Sequence, residues 1–414
     1  MAAGWTALAA VPLSGAPESG APESGALAQL KIPGPPPVRP QPPEVRPEFR
    51  IGLLLAGGPY AASSDDIAAG LALALAEAGG GIHGRQLVIL RDDGDGSPGG
   101  GAESARRLLA AASLDALVGP ATSPELAALR EVAESARVPL IVPGPGTAAE
   151  AAAKCSPYVL YLAPADEQTA GPLGSWVGSQ KPVKHLYLLG PADAAGRSQV
   201  AAFKRQFEAA GGEIVGEEYV SGLNPDFSPY FAKLRLMGAD TIYAPFAGVP
   251  ADALVKQYET AGLEKRVGLV GAAALPGMVD GSAISAVDYT AVLDTPENQR
   301  FRAEFATRFG RVASEHAARG YDAGRLIVEA LRTIPLRPHD RDLPDRETLT
   351  AALAHASFVG PRGPIQVDPQ RGAAMDQLYI VRTRDNLGGT SYELLDRVTS
   401  APGAPNLCPA APGN

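Results

Sequence analysis

Two stretches of this chain join a hydroxyl to a predicted helix start: Thr122-Ser123-Pro124-Glu125 and Thr147-Ala148-Ala149-Glu150. Each fits a capping box, with a hydroxyl at the N-cap and Glu three residues on. The first amides of a helix lack intrahelical acceptors and sit at its positive dipole end, so such a terminus can hold a carboxylate. The plainer reading is that these side chains only satisfy the helix's own amides. Pro145 stands just ahead of the second stretch and has no N–H to donate, which weakens it as an anion site.

Other arrangements carry less chemistry. Gly79-x-Gly81-x-x-Gly84 matches a dinucleotide fingerprint as a string, but that fingerprint needs a strand before it and a helix after it. Here a helical pattern precedes and a strand pattern follows, so the glycines read as a helix exit and a turn. Asp92, Asp93 and Asp95 lack the further oxygen ligands and closing Glu of a calcium loop and read as a solvated strand end. The histidines, His83, His185, His316, His339 and His355, are scattered, and no Gly-x-Ser-x-Gly, HExxH or P-loop string is present. Nothing linear pairs a nucleophile with a base, so neither an enzyme, a cofactor nor a metal is expected. Cys155 and Cys408 are either two separate thiols or one disulfide tying the C-terminal tail to the body.

These residues must be positioned by a large scaffold. At 414 residues the chain exceeds one typical core and predicts two lobes or domains. Its net charge of −9, without a dense Lys/Arg cluster, argues against nucleic acid and against an anionic membrane surface. No apolar run approaches the roughly 18 residues of a spanning helix. Residues 1–49 read as an extended tether: a tandem Ser14-Gly15-Ala16-Pro17-Glu18 and Ser19-Gly20-Ala21-Pro22-Glu23 repeat leads into a proline-rich run. Met1 to Leu13 is weakly apolar and carries no Lys or Arg, so a secretory leader here is atypical, starts upstream, or is lacking.

From Arg50 strands and helices alternate. Strands are expected at 50–56, 86–91, 115–119, 138–142, 184–190, 213–220, 240–246, 267–271 and 289–293. Helices are expected between them, for example over 103–112, 125–136, 198–210, 251–262, 297–309 and 316–333. That rhythm predicts α/β lobes with mostly parallel sheets flanked by helices. Open α/β sheets bind ligands at the carboxyl ends of their strands. The Gly57-Gly58-Pro59-Tyr60 loop follows the first strand, and the 120–123 and 142–147 loops follow later ones.

Several strings, in order, are similar to one family: Gly80-Gly81-Ile82-His83-Gly84-Arg85, Arg91-Asp92-Asp93, Val138-Pro139-Leu140-Ile141-Val142-Pro143-Gly144 and Cys155-Ser156-Pro157-Tyr158-Val159. Asp226-Phe227-Ser228-Pro229-Tyr230, Gly320-Tyr321-Asp322-Ala323 and Gly360-Pro361-Arg362-Gly363-Pro364 continue the series. Residues 50–385 thus resemble the type I periplasmic binding proteins that feed ABC transporters, the branched-chain amino-acid-binding group in particular. The resemblance implies two lobes closing on a ligand, with lobe one over 50–165 and 293–358 and lobe two over 166–292 and 359–397. Residues 398–414 would form a tail. A periplasmic, monomeric protein serving a membrane transporter is implied, with a small molecule as its ligand.

By the same resemblance, the ligand-binding residues are Gly58, Tyr60, Ala121, Thr122, Ser123, Gly144, Gly146 and Thr147 from lobe one. Ala195, Phe246, Ala273 and Leu275 would come from lobe two, and His316 would be a further wall. Tyr60, Phe246 and His316 also suit plain packing. Amino-acid-binding relatives carry a carboxylate for the ligand ammonium where this chain reads Ala272-Ala273-Ala274-Leu275. An ammonium buried without a partner costs several kcal/mol, so the expected ligand is an apolar-bodied one. An aromatic or branched carboxylate fits, as does a lipid-like molecule such as a sterol. The alternative is a sensor or cell-envelope regulator that uses the same fold on a protein partner.

Overall fold

Strands whose residues are apolar on both faces need helices on both sides. That rule organises the computed structural model, which describes residues 48–58, 61–97, 99–120, 123–144, 156–181, 183, 185–222, 224–271, 282–335, 344–367, 377–386 and 389–400. All of these fall in one compact unit, Val45–Asn414. Tyr60, Ala121, Thr122, Gly146, Thr147, Cys155, Ala273, Leu275 and Cys408 lie outside the described residues.

The first lobe is built from β1 (Glu48–Ala56), α1 (Ala61–Glu77), β2 (Gly81–Ile82), β3 (Arg85–Gly94), α2 (Gly100–Ala111), β4 (Ala116–Val118), α3 (Ser123–Ala136), β5 (Leu140–Val142) and β6 (Val159–Tyr161). Its sheet runs β2-β3-β1-β4-β5-β6, parallel except for the β2–β3 hairpin. β1 opens at Glu48 rather than Arg50 because Phe49 is already buried. The Gly79–Gly84 string closes α1, with Gly80 N–H donating to Leu75 O, and then turns the hairpin.

The chain then crosses to a second lobe: α4 (Asp166–Ser179), β7 (His185–Pro191), α5 (Ala194–Ala209), β8 (Glu213–Val220), α6 (Ser228–Met237), β9 (Thr241–Tyr243), α7 (Val249–Thr260), β10 (Gly268–Gly271) and β11 (Ala283–Val287). It returns through α8 (Pro296–Phe309), α9 (Glu315–Thr333), α10 (Arg346–Ala354) and the hairpin β12 (Ser357–Gly360) and β13 (Gly363–Gln366). A last pair, β14 (Gln377–Asn386) and β15 (Gly389–Thr399), joins the second sheet antiparallel, giving β15-β14-β11-β10-β9-β7-β8. The strand expected at 289–293 is a correction. The chain leaves the sheet at Val287, and buried Asp288 then pairs with charges off the sheet rather than continuing a ladder.

α9 is the long internal strut of the first lobe. Ser314 caps it by accepting from Ala317 N–H, and most of the helix is buried, Arg319 and Asp322 included. It meets α1 almost backbone to backbone. A Cβ on Gly320 would stand 2.1 Å from Ile67 O, which only a glycine allows. One apolar cluster runs from Phe49, Ile51 and Leu53 of β1 through Ile67 and Leu71 of α1 to Ile327 of α9. It reaches Ile365 of β13 and Tyr379 and Val381 of β14, so apolar packing continues across the junction of the lobes.

Candidate functional site

The first crossing leaves the carboxyl end of β6, and the second leaves the carboxyl end of β11. Because the strands of each sheet that lead there are parallel, the carboxyl edges of both sheets adjoin the crossings. Open α/β sheets meet ligands past such edges, so the carboxyl ends of β1, β4, β5, β7, β9 and β10 mark the candidate rim.

At the two crossings lies a cluster of buried charge. Arg362, in the β12–β13 turn, is wholly buried. Its Nε donates to Asp322 Oδ2 at 2.6 Å, its Nη1 to Asp288 Oδ2 at 2.6 Å, and its Nη2 to Leu162 O at 2.9 Å. Arg319 donates to both oxygens of Asp288, from Nε at 2.9 Å and Nη2 at 2.8 Å. Tyr379 Oη donates to Arg362 O at 2.6 Å. Two guanidiniums thus face two carboxylates in charge-assisted pairs. Burial pushes the Asp288 carboxyl up, but Arg319 and Arg362 outweigh it and hold it at about 2. Asp322 keeps one main partner; burial wins and raises it to about 6 against Arg362, with Asp288 adding to the rise. Asp322 Oδ1 has no hydrogen-bond partner and sits where a Cβ on Gly360 would come within 2.3 Å.

The residues expected to bind ligand are placed as follows. Gly58 is exposed beyond the end of β1. There Ser64 fixes the strand end, accepting from Ala56 N–H at 3.1 Å and donating to Ala56 O at 2.8 Å. Ser123 opens α3, and Gly144 is buried just past β5. Glu125, the partner expected of the first capping box, is buried against Gly94 and Gly101. Ala195 lies in the first turn of α5, half-buried. That helix starts earlier than expected because Asp193 caps it, accepting from Gly196 N–H at 2.7 Å. Phe246 follows β9 and is 5% exposed, edge-on to Phe227 at 5.1 Å between ring centres within the lobe-two core. His316 sits one turn before Arg319 on α9. Burial lowers its pKa; Glu315 and Asp288 oppose that and Arg319 reinforces it, so its imidazole is neutral at pH 7.

Sequence reasoning places Asp322 and Arg362 within strings of resemblance but gives them no role, and it misses Asp288 and Arg319. The available signal was charge on a buried face: Arg319 and Asp322 interrupt an otherwise small and apolar helix stripe. The acidic residues at the end of β3 hold arginines. Asp92 accepts from Arg107 at 2.6 Å, while Asp93 and Asp65 accept from Arg91. A pocket of about 450 Å³ lies against Trp176 of α4 and Val398 of β15. Every described residue lining it belongs to the second lobe, so it is not the space between the lobes.

The family model described as "Periplasmic binding protein" matches residues 48–388. An ABC transporter substrate-binding protein from Sphaerobacter thermophilus superposes with TM-score 0.77 at 29% identity, covering 85% of this chain and 98% of that one. A solute-binding protein of an ABC transporter from R. palustris, solved with benzoate, gives 0.76 at 27%, covering 87% and 99%. The Leu/Ile/Val-binding protein homolog 6 of Brucella abortus (strain 2308) is 24% identical, covering 84% of this chain and 91% of its own length. Two parallel-rich lobes, carboxyl edges turned toward shared crossings, and a match that spans nearly all the described residues agree: this chain belongs to the periplasmic binding protein family.

Proposed function

We propose that this protein captures a small organic carboxylate with an apolar, aromatic or branched body, and that the two lobes close on it for delivery to a membrane transporter. The observation that carries the reading is the R. palustris relative solved with benzoate, alike over 87% of this chain. Two features of the chain support it. Ala272-Ala273-Ala274-Leu275 supplies no carboxylate for a ligand ammonium. Half-buried His316, its pKa lowered, adds no positive charge beside Asp288. In this reading the α3 N-terminus, with Ser123, takes the ligand carboxylate, because hydroxyl and backbone N–H donors there match an anion. The family serves ABC transporters as carriers rather than as catalysts, and among the described residues no helix is long and apolar enough to cross a membrane.

Titration calorimetry with benzoate and with leucine tests this. Benzoate should bind in the micromolar range or tighter, leucine at least tenfold more weakly. Ser123→Ala should weaken benzoate about tenfold, the worth of one hydrogen bond to a charged group. Tighter binding of leucine would overturn the ligand class.

A further inference from the structure

Arg362 touches two of the segments that join the lobes, and it also bonds to the strand by which the chain re-enters the second lobe. The first crossing, 162–165, supplies Leu162 O, and the second, 288–295, supplies Asp288; Arg362 itself stands just before β13, and Tyr379 of β14 donates its hydroxyl to Arg362 O. Its Nε donates to Asp322 on α9, the strut of the first lobe. Arg319, from the same strut, grips Asp288 a second time. A planar guanidinium can hold three acceptors in fixed directions at once, which a lysine ammonium on a flexible stem cannot do at this spacing. Burial removes competing water, so these bonds do not loosen through solvent exchange.

This cluster is more elaborate than stability alone requires. Buried ion pairs recover little more than their desolvation cost, and apolar side chains of equal volume often serve as well. Asp322 also keeps one oxygen without a hydrogen bond, a further cost. A lobe closure that uses separate linkers needs them to bend about one axis, and hinges are a few residues that absorb that change.

We propose that Arg362 is a positioning residue that makes the two described crossings and the adjoining ends of β13 and β14 yield together, so that the lobes open and close about one pivot without Arg362 touching the ligand. The inference concerns the pivot and holds for whatever ligand the lobes enclose.

Hydrogen exchange on the full-length, ligand-free protein tests it, comparing wild type with Arg362→Lys. Exchange in peptides covering 162–166, 288–295 and 361–367 should speed up at least tenfold together, while β1 and β7 keep their wild-type protection. Unchanged crossings, or equal loss in the crossings and both central strands, would overturn the inference, since either outcome reduces Arg362 to a stabilising contact or less. Should Arg362→Lys fail to fold, Asp288→Asn carries the same comparison: it weakens the second crossing directly, yet all three peptides should loosen. Acceleration in 288–295 alone would show independent linkers and overturn the proposal. The readout needs no ligand, so a failure of benzoate to bind would count against the ligand reading and leave this inference to exchange alone.

Discussion

The pivot and the rim are built on opposite principles. At the pivot, two arginines and two aspartates are packed without solvent, and almost every polar atom has a partner. At the rim, the described positions are small or backbone-led: exposed Gly58, buried Gly144, half-buried Ala195, a strand end held by Ser64 and a helix start held by Asp193. Side chains that hold one geometry belong where motion must be constrained. Small residues and open amides belong where an unknown shape must be accommodated. The proposed closure on a ligand needs both, and here they come from different parts of the sequence.

The comparison breaks most visibly at Arg362. Arg362→Met keeps most of the volume but leaves Asp288 with one arginine and Asp322 without its main partner. Removing one member of a buried charge set costs about 3–5 kcal/mol. Urea denaturation should show that loss as a lower midpoint, and a change under about 1 kcal/mol would mean the cluster is not desolvated as the geometry requires.

Asp322→Asn sharpens the contrast through pH. A carboxyl raised from 3.8 to about 6 on folding contributes stability that is full below 3.8 and lost as pH rises through about 6. Asp288, held at about 2, does the reverse: its contribution is present above 3.8 and lost as pH falls through about 2. The charged groups facing Asp322 are Arg362, Asp288 and Arg325, with the hydroxyls of Tyr289 and Tyr379 also near. Only the Asp322 effect falls in an accessible window. Each tenfold change in proton affinity on folding is worth about 1.4 kcal/mol. Between about pH 4 and 7 the wild type should therefore lose up to about 3 kcal/mol relative to Asp322→Asn. Parallel stability curves for the two proteins would remove Asp322 as the titrating group.

Gly320→Ala separates strut from pivot. The added methyl would press on Ile67 O across the α1–α9 contact, an overpacking worth about 1–3 kcal/mol. The midpoint should fall while exchange at the crossings keeps its wild-type ratio to the central strands. Selective loosening of the crossings would mean that α9 transmits strain to Arg362, and the two regions would not be separable.

Much of the scaffold is legible because it rests on local signals. Apolar runs such as Ile51 to Leu55 and Ile141-Val142 announce buried parallel strands, and the Gly79–Gly84 run announces a helix exit and turn. The crossing at 288 reads as a strand because Tyr289, Thr290 and Val292 have strand-forming side chains. What overrides them is Asp288, whose partners lie 31 and 74 residues away in Arg319 and Arg362. No window of sequence contains that pairing. The same limit hides the pivot: Asp322 and Arg362 each sit in a string that looks like turn or helix chemistry, and only the fold brings their charges together. At the rim, Asp193 stands one residue before α5 and is a fitting cap, yet the sequence pattern starts that helix only at 198. The small residues from Ala192 to Gly196 look like loop, and the cap is what draws Ala194 to Gly196 into the first turn.

The smallest expected effect is at that cap. Asp193→Ala removes the acceptor for Gly196 N–H, and an N-cap of this kind is worth about 1 kcal/mol. Arg197 Nε would still donate to Ala192 O at 3.1 Å, and its guanidinium would still lie 4.1 Å over the Tyr219 ring, so the turn would keep its course. The substitution also removes an exposed negative charge from the rim of a cleft proposed to receive an anion, and exposed charges act at about 0.3–1 kcal/mol. Stability should therefore fall slightly while benzoate affinity rises, by up to about threefold. At the pivot the two quantities should fall together, because closure and packing depend on the same bonds. Opposite signs at Asp193 and matching signs at Arg362 would set a rim that meets the ligand apart from a pivot that governs closure. Matching signs at both would mean that Asp193 belongs to the moving framework, and that the division between the two regions lies beyond the first turn of α5.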